Sequence, residues 1–138
     1  MDCVFCKIIN NELPSFKVYE NEFVLAFLDI SPAAKGHTLV IPKEHFENIF
    51  DISENYLEKI MVAAKKISQK MIEVGVAEGV NLYEANGSVA EQVVPHFHLH
   101  IIPRVSGDDI DFTGRGFKPI AKPTNEEFEN IREILNLI

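Results

Sequence analysis

Apolar and polar positions alternate most strictly between Val93 and Pro103, where Phe97, Leu99 and Ile101 interleave with His96, His98 and His100. Side chains of an extended strand point to opposite faces in turn. The stretch therefore predicts a strand with three imidazoles on one face and three apolar side chains entering a core on the other. Pro95 and Pro103 flank it and suit strand ends better than a helix interior. Upstream, residues 16–20 predict a short strand joined by a tight connection at 20–22 to the apolar strand 23–28, which Asp29 ends. Residues 31–36 read as a loop and 37–41 as a strand stopped by Pro42; residues 80–85 make the remaining strand. From Ser53 the period changes. Leu57, Ile60, Met61, Ala64, Ile67, Met71 and Ile72 recur at three- and four-residue spacings, predicting a long helix capped by Ser53 and ended by Gly75. A short helical turn over 3–10 opens the chain, followed by a turn at 10–14. Thr124 and Glu127 form a capping box for a tail helix whose stripe is Phe128, Ile131, Ile134 and Leu135. Polar loops are expected at 86–93 and 106–123. The sum is an α+β fold: a five-stranded, mostly antiparallel sheet with one long helix before the last two strands and short terminal helices.

Length and composition narrow this picture. The chain of 138 residues is about one domain, large enough to bury its own core without staples. Its apolar content of 46% includes no run long enough to span a bilayer. The N-terminus lacks a basic stretch followed by an apolar one, and there are only two cysteines, so a cytoplasmic location is expected. A net charge of −8 argues against nucleic-acid or membrane-surface partners. An anionic ligand would need a local site that works against the overall field.

Three alternating histidines admit a metal site, phosphoryl chemistry or a histidine-rich solvated face. Same-face neighbours on a strand are about 6.6 Å apart, so His96 and His100 are roughly 13 Å apart and would not share one ion. A neutral imidazole is a nucleophile at pH 7, and its neighbours can donate hydrogen bonds to a phosphate. Nearby residues suit that chemistry. Asn86 and Gln92 offer amide donors, and His37 offers a fourth imidazole. Asp29 could accept from ribose hydroxyls, and Phe5, Ile8, Phe27, Ile30 and Leu39 offer an apolar wall for a base. Cys3 and Cys6 are spaced for a zinc site, for redox chemistry or as two core thiols.

The motif His96-x-His98-x-His100 followed by two apolar residues resembles the signature of the histidine triad (HIT) family. Residues 27–32 and 36–43, residues 3–9, and the spacing from Asn86-Gly87 through Gln92 to His96 are similar to that family too, in the same order across about residues 3–104. The likeness is to the prokaryotic Hint-like hydrolases, and less to the galactose-1-phosphate uridylyltransferase branch, whose triad ends in glutamine where this chain has His100. The resemblance implies a single HIT domain over 1–138, with 105–138 a loop and tail helix outside the shared core. It implies a homodimer joined through the long helix and the edge strand into a ten-stranded sheet. It also implies an enzyme that cleaves purine nucleoside phosphoramidates or dinucleoside polyphosphates at the α-phosphate. His98 would attack, its Nδ1–H held by the backbone carbonyl of His96, and form a covalent nucleotidyl-imidazole that water hydrolyses. His100 and His37 would bind phosphate oxygens and assist the leaving group, with Asn86, Gln92 and the loop backbone completing the cradle. Asp29 would hold ribose, and Phe5, Ile8, Phe27, Ile30 and Leu39 the purine. Catalysis would need no cofactor. With those histidines assigned, His45 and His96 remain to complete a structural zinc site with Cys3 and Cys6, as in some members; His96 would then join the catalytic strand to the metal. Rival expectations are a nucleotide-binding scaffold with little turnover and a metal-sensing module. Two departures stand out. Relatives carry Gly-Gln-Ser or Gly-Gln-Thr where this chain has Glu91-Gln92-Val93. Val93 has no hydroxyl for the leaving-group side, and Glu91 sets a negative charge beside an anion site, which would weaken binding or favour a cationic leaving group.

Overall fold

The computed structural model describes residues 2–111 and 118–138. Part of the loop expected at 106–123 lies outside the described residues. In chain order the elements are α1 (Val4–Ile9), β1 (Lys17–Glu20), β2 (Val24–Leu28), β3 (Thr38–Pro42), α2 (Glu54–Glu73), β4 (Gly79–Tyr83), β5 (Leu99–Arg104) and α3 (Asn125–Leu135). The strands form one sheet in the order β1-β2-β3-β5-β4, and every pairing is antiparallel. The expected α+β architecture is therefore the one found.

The sheet has a different cover on each face. On one side α2 and α3 bury Ile60, Ala63, Ala64, Ile67, Met71, Phe128, Ile131 and Leu135 against Val24, Ala26, Leu28, Val40, Phe97, Leu99 and Ile101. On the other side the short α1 buries Phe5 and Ile8 against Leu25, Phe27, Leu39 and Ile41. β2 and β3 are covered on both faces, which is why both are buried at every position and why their sequences read as unbroken apolar runs. α3 carries the predicted capping box, with Thr124 and Glu127 each bonding the other's backbone N–H.

Several boundaries differ from the sequence expectation. The regular strand β5 begins at Leu99, so His96, Phe97 and His98 precede its ladder, although the alternation of faces carries through them. Pro42 and Pro103 lie inside strands rather than beyond their ends. Pro103 is tolerated because β3 leaves the sheet at its Thr38 pairing with Ile101. The Arg104 carbonyl already faces the β4 side, where it accepts from Glu78 N–H at 2.8 Å, so alternation turns the Pro103 nitrogen to the vacated side. β4 stops at Tyr83, two residues short of expectation. On α2 the buried stripe is rotated relative to the predicted one: Ala63 is in the core, whereas Met61 and Ile72 are half exposed, as is Ile134 on α3. Gly36 is fixed by space and conformation together. Its φ is +93°, and an added Cβ would come within 2.9 Å of Val76 Cγ1, so this corner admits only glycine and delivers His37 to the head of β3.

Candidate active site

Two neighbouring strands bring the imidazoles together. His98 comes from the residue before β5, His100 from the second residue of β5, and His37 from the residue before β3, the neighbouring strand. The ring centroids of His98 and His100 are 5.0 Å apart, and those of His37 and His100 are 5.1 Å apart. The backbone then orders their protons. The Ala33 N–H donates to His37 Nδ1 at 2.9 Å, so the His37 proton must sit on Nε2. His37 Nε2 is 2.9 Å from His100 Nδ1 and donates to it, which puts the His100 proton on Nε2. His98 Nδ1 is 2.8 Å from the His96 carbonyl, which can only accept, so His98 carries its proton there and Nε2 keeps a lone pair.

Burial keeps these rings neutral. Loss of solvent pushes the His37 pKa down to about 4, with a further push from His98. It pushes His100 down to about 3, helped by His37 and His98 and opposed by Asp29. His98 is lowered by burial and raised in part by the His96 carbonyl. At pH 7 the site holds one unprotonated nitrogen on His98 and, through His100, an N–H donor next to it.

Both residues open on a cavity of about 1040 Å³. Phe5, Ile8, Phe27, Leu39, Asp29 and Ile30 line the side nearer α1 and β2, and the loop before β5 lines the other. Phe5 meets His98 edge-on at 5.2 Å and Phe27 at 5.6 Å. The Asp29 carboxylate accepts from Ser31 N–H at 2.8 Å and lies 3.5 Å from His37 Nε2. Asp29, His37 and His100 also bring their potential ligand atoms within 4.8 Å of one another. However, the Ala33 bond already occupies the lone pair on His37 Nδ1, so an ion on Nε2 would have to displace the ring's single proton. We read this group as a proton-ordering chain.

Two expected phosphate donors are placed differently. Asn86 does not line the cavity; its Oδ1 accepts from Ile49 N–H at 2.7 Å and its Nδ2 donates to Glu84. Gln92 lines the cavity, but its Nε2 donates to the carbonyls of Glu47 (2.6 Å) and Val94 (3.1 Å), and its Oε1 accepts from Gly87 N–H (2.8 Å). Both amides clamp the 86–94 loop onto residues 47–49. Val93 lines the cavity and is 87% exposed. His37 is only 1% exposed and does not line the cavity, so it reaches the site through His100. The sequence reading missed Tyr83, whose ring meets His100 at 5.5 Å. Only the β4–β5 register, which pairs Tyr83 with His100, reveals it.

His96 faces away from this cavity. Its Nε2 donates to the Pro42 carbonyl at 3.0 Å, which leaves a lone pair on Nδ1. That atom lies 3.4 Å from Cys3 Sγ, 3.6 Å from Cys6 Sγ and 3.0 Å from His45 Nδ1, and Cys6 Sγ lies 3.3 Å from His45 Nδ1. A tetrahedral ion with bonds of about 2.0–2.3 Å separates its ligands by roughly 3.3–3.8 Å. Three of these separations fall in that range and the His45–His96 one, at 3.0 Å, is slightly shorter; four soft or borderline donors this close, with the ring of His96 oriented by a carbonyl, could hold a metal.

The HIT domain model matches residues 10–107. An uncharacterized HIT-like protein of Borreliella burgdorferi is 49% identical over 135 residues, covering 96% of this chain and 93% of that protein. An adenosine 5'-monophosphoramidase of Schizosaccharomyces pombe is 42% identical over 104 residues, covering 75% of each. Among solved structures, a Zn-bound histidine triad family protein from Mycobacterium smegmatis superposes with a TM-score of 0.85 at 34% identity, covering 98% of this chain and 94% of that one.

Proposed function

The chain belongs to the HIT domain family, and from that premise we propose that it hydrolyses purine nucleotide conjugates at the α-phosphate through a nucleotidyl-histidine intermediate. The observation that carries this reading is the His98 tautomer, with Nδ1–H on the His96 carbonyl and a lone pair on Nε2 beside a cavity large enough for a nucleotide. The purine rests against Phe5, Ile8, Phe27, Ile30 and Leu39, and Asp29 accepts from the ribose. His98 Nε2 attacks phosphorus and the bond to the leaving group breaks. Water then attacks phosphorus and breaks the P–Nε2 bond, which frees the nucleoside monophosphate. The departing group takes a proton from solvent as its bond to phosphorus breaks, and the attacking water returns one to solvent in the second step, so one water is consumed overall, its hydroxyl going to phosphorus and its hydrogen, in balance, to the leaving group. The His100 Nε2–H donates to a phosphate oxygen that gains charge in both transition states. His37 holds His100 in the donating tautomer. Asn86 and Gln92 keep the loop in place, so that its backbone forms the rest of the cradle.

Cys3, Cys6, His45 and His96 would hold zinc. The ion would act as a structural cross-link between α1, the loop after β3 and the residue two before the nucleophile. The half-exposed Met61, Val62 and Ile72 on α2 and the position of β4 at the edge of the sheet support a dimer with a ten-stranded sheet, which sedimentation at micromolar concentration tests. Two unpaired thiols fit a reducing, cytoplasmic location; localisation by tagged protein checks it.

The test of the hydrolase is an adenosine 5'-phosphoramidate carrying a fluorescent amine. Release by the wild type and a loss of at least a thousandfold in His98→Ala, with thermal stability retained, is the expected result. Equal inertness of the two proteins while both bind AMP would leave a nucleotide-binding protein and sink the enzyme.

A further inference from the structure

The part of the cavity left over by the nucleoside has its own character. β5 lies between β3 and β4 in the sheet, so the histidines separate two sets of lining residues. The nucleoside side comes from α1, β2 and β3. The other side comes from the end of β4 and the loop before β5: Tyr83, Ser88, Glu91, Gln92, Val93 and Val94. Among the described residues of the lining, Asp29 and Glu91 are the only ones with a fixed charge, and both are acidic; none is Lys or Arg. Glu91 is set deliberately by its backbone. It adopts φ +68°, a conformation unfavourable for a residue with a side chain, at the end of the Ser88–Ala90 turn. Its N–H bonds the Ser88 carbonyl at 3.0 Å. None of the ion pairs among the described residues involves its carboxylate. The adjacent Val93 is 87% exposed and cannot hydrogen-bond through its side chain.

We infer that this half of the cavity is a leaving-group subsite for a cationic amine with an apolar spacer, with Glu91 taking the cation and Val93 the spacer. The inference rests on the proposed reaction at the same site and narrows its substrates. A polyphosphate leaving group brings added negative charge to a wall with no basic side chain and one carboxylate, in a protein of net charge −8. An amine linked to phosphorus, bearing a second ammonium a few carbons away, meets attraction instead of repulsion.

Binding and turnover are measured separately so that the two ideas can fail separately. Stable alkyl esters of AMP with propyl, 3-aminopropyl and 2-carboxyethyl groups are titrated calorimetrically at low salt. The aminopropyl ester should bind about fivefold tighter than the propyl ester, as for a part-exposed ion pair, and the carboxyethyl ester more weakly than either. Glu91→Gln should bring the aminopropyl-to-propyl ratio close to one, Glu91→Lys should invert the order of the two charged esters, and about 1 M salt should erase the wild-type preference. Equal affinities of the wild type for the three esters, or a preference that survives Glu91→Gln, overturns the subsite. Hydrolysis of the matching phosphoramidates is the second arm. Charge selectivity without turnover refutes the hydrolase and keeps the subsite; turnover without charge selectivity does the reverse.

Discussion

Replacing His37 by alanine separates two roles that a fourth histidine could play. The side chain is 1% exposed and absent from the cavity wall, and its two nitrogens meet Ala33 N–H and His100 Nδ1, both at 2.9 Å. His37→Ala leaves one buried donor and one buried acceptor unpaired, at about 1–3 kcal/mol each, and opens a void beside them. A loss of about 3–5 kcal/mol is expected, which is roughly 10–17 °C in Tm for a domain of this size. The protein should still fold, since such domains have about 5–15 kcal/mol of stability. The kinetic effect should be smaller than the burial suggests. Without the His37 proton donor, neutral His100 divides between two tautomers, and only one presents Nε2–H to phosphate. If His37 acts solely by setting that tautomer, kcat should fall about 3- to 10-fold, against the hundredfold or more typical of losing a direct oxyanion donor. Single-turnover rates of phosphoramidate cleavage, read below the Tm of each variant, test this. The decisive comparison is a double-mutant cycle: in a His100→Ala background, His37→Ala should cost no further rate. A loss of a hundredfold in the single variant, or additive losses in the double variant, would refute the relay and put His37 directly on the phosphate.

Two further predictions follow from burial and from the thiol cluster. The folded pKa values of His37 and His100, about 4 and about 3, lie below the unfolded value of 6.5, so the unfolded chain binds more protons between those limits. Stability should therefore be at its full value above pH 6.5, fall as the pH drops toward 4 to 3, and level off below. Urea midpoints at pH 7.5 and 5 check this, with a shallower fall expected for His37→Phe and equal midpoints counting against the buried neutral pair. Protein purified without added metal should contain one zinc per chain and lose it in Cys3→Ser/Cys6→Ser, with a lower Tm; a metal content independent of that substitution would disprove the site.

The course of the chain was largely legible in its residues, because local chemistry governs it. Alternation around His98 separated Phe97, Leu99 and Ile101 from the histidines, and those three side chains do enter the helix-side core. Thr124 and Glu127 announced their helix because a capping box is satisfied within four residues. Ser53 announced α2 in the same way, by accepting from Tyr56 N–H. The stripe of α2 was less legible. Met61 and Ile72 share the helical period with Ile67 and Met71, but the sheet covers only part of the apolar arc.

The residues alone mark His98, His100 and His37 as candidates for the chemistry and place His98 and His100 on one face of an extended segment, since a period of two is a property of the backbone. Which partner each side chain meets comes only from the fold. The His98 lone pair depends on a carbonyl two residues away, the His100 proton on a ring 63 residues distant, and the thiol cluster on contacts spanning 93 residues. Asn86 and Gln92 look like phosphate donors in one dimension and are loop clamps in three, because Ile49 and Glu47 reach them first. Hydrogen bonds are satisfied by whichever partner the fold brings within about 3 Å, and a tautomer is set by that partner.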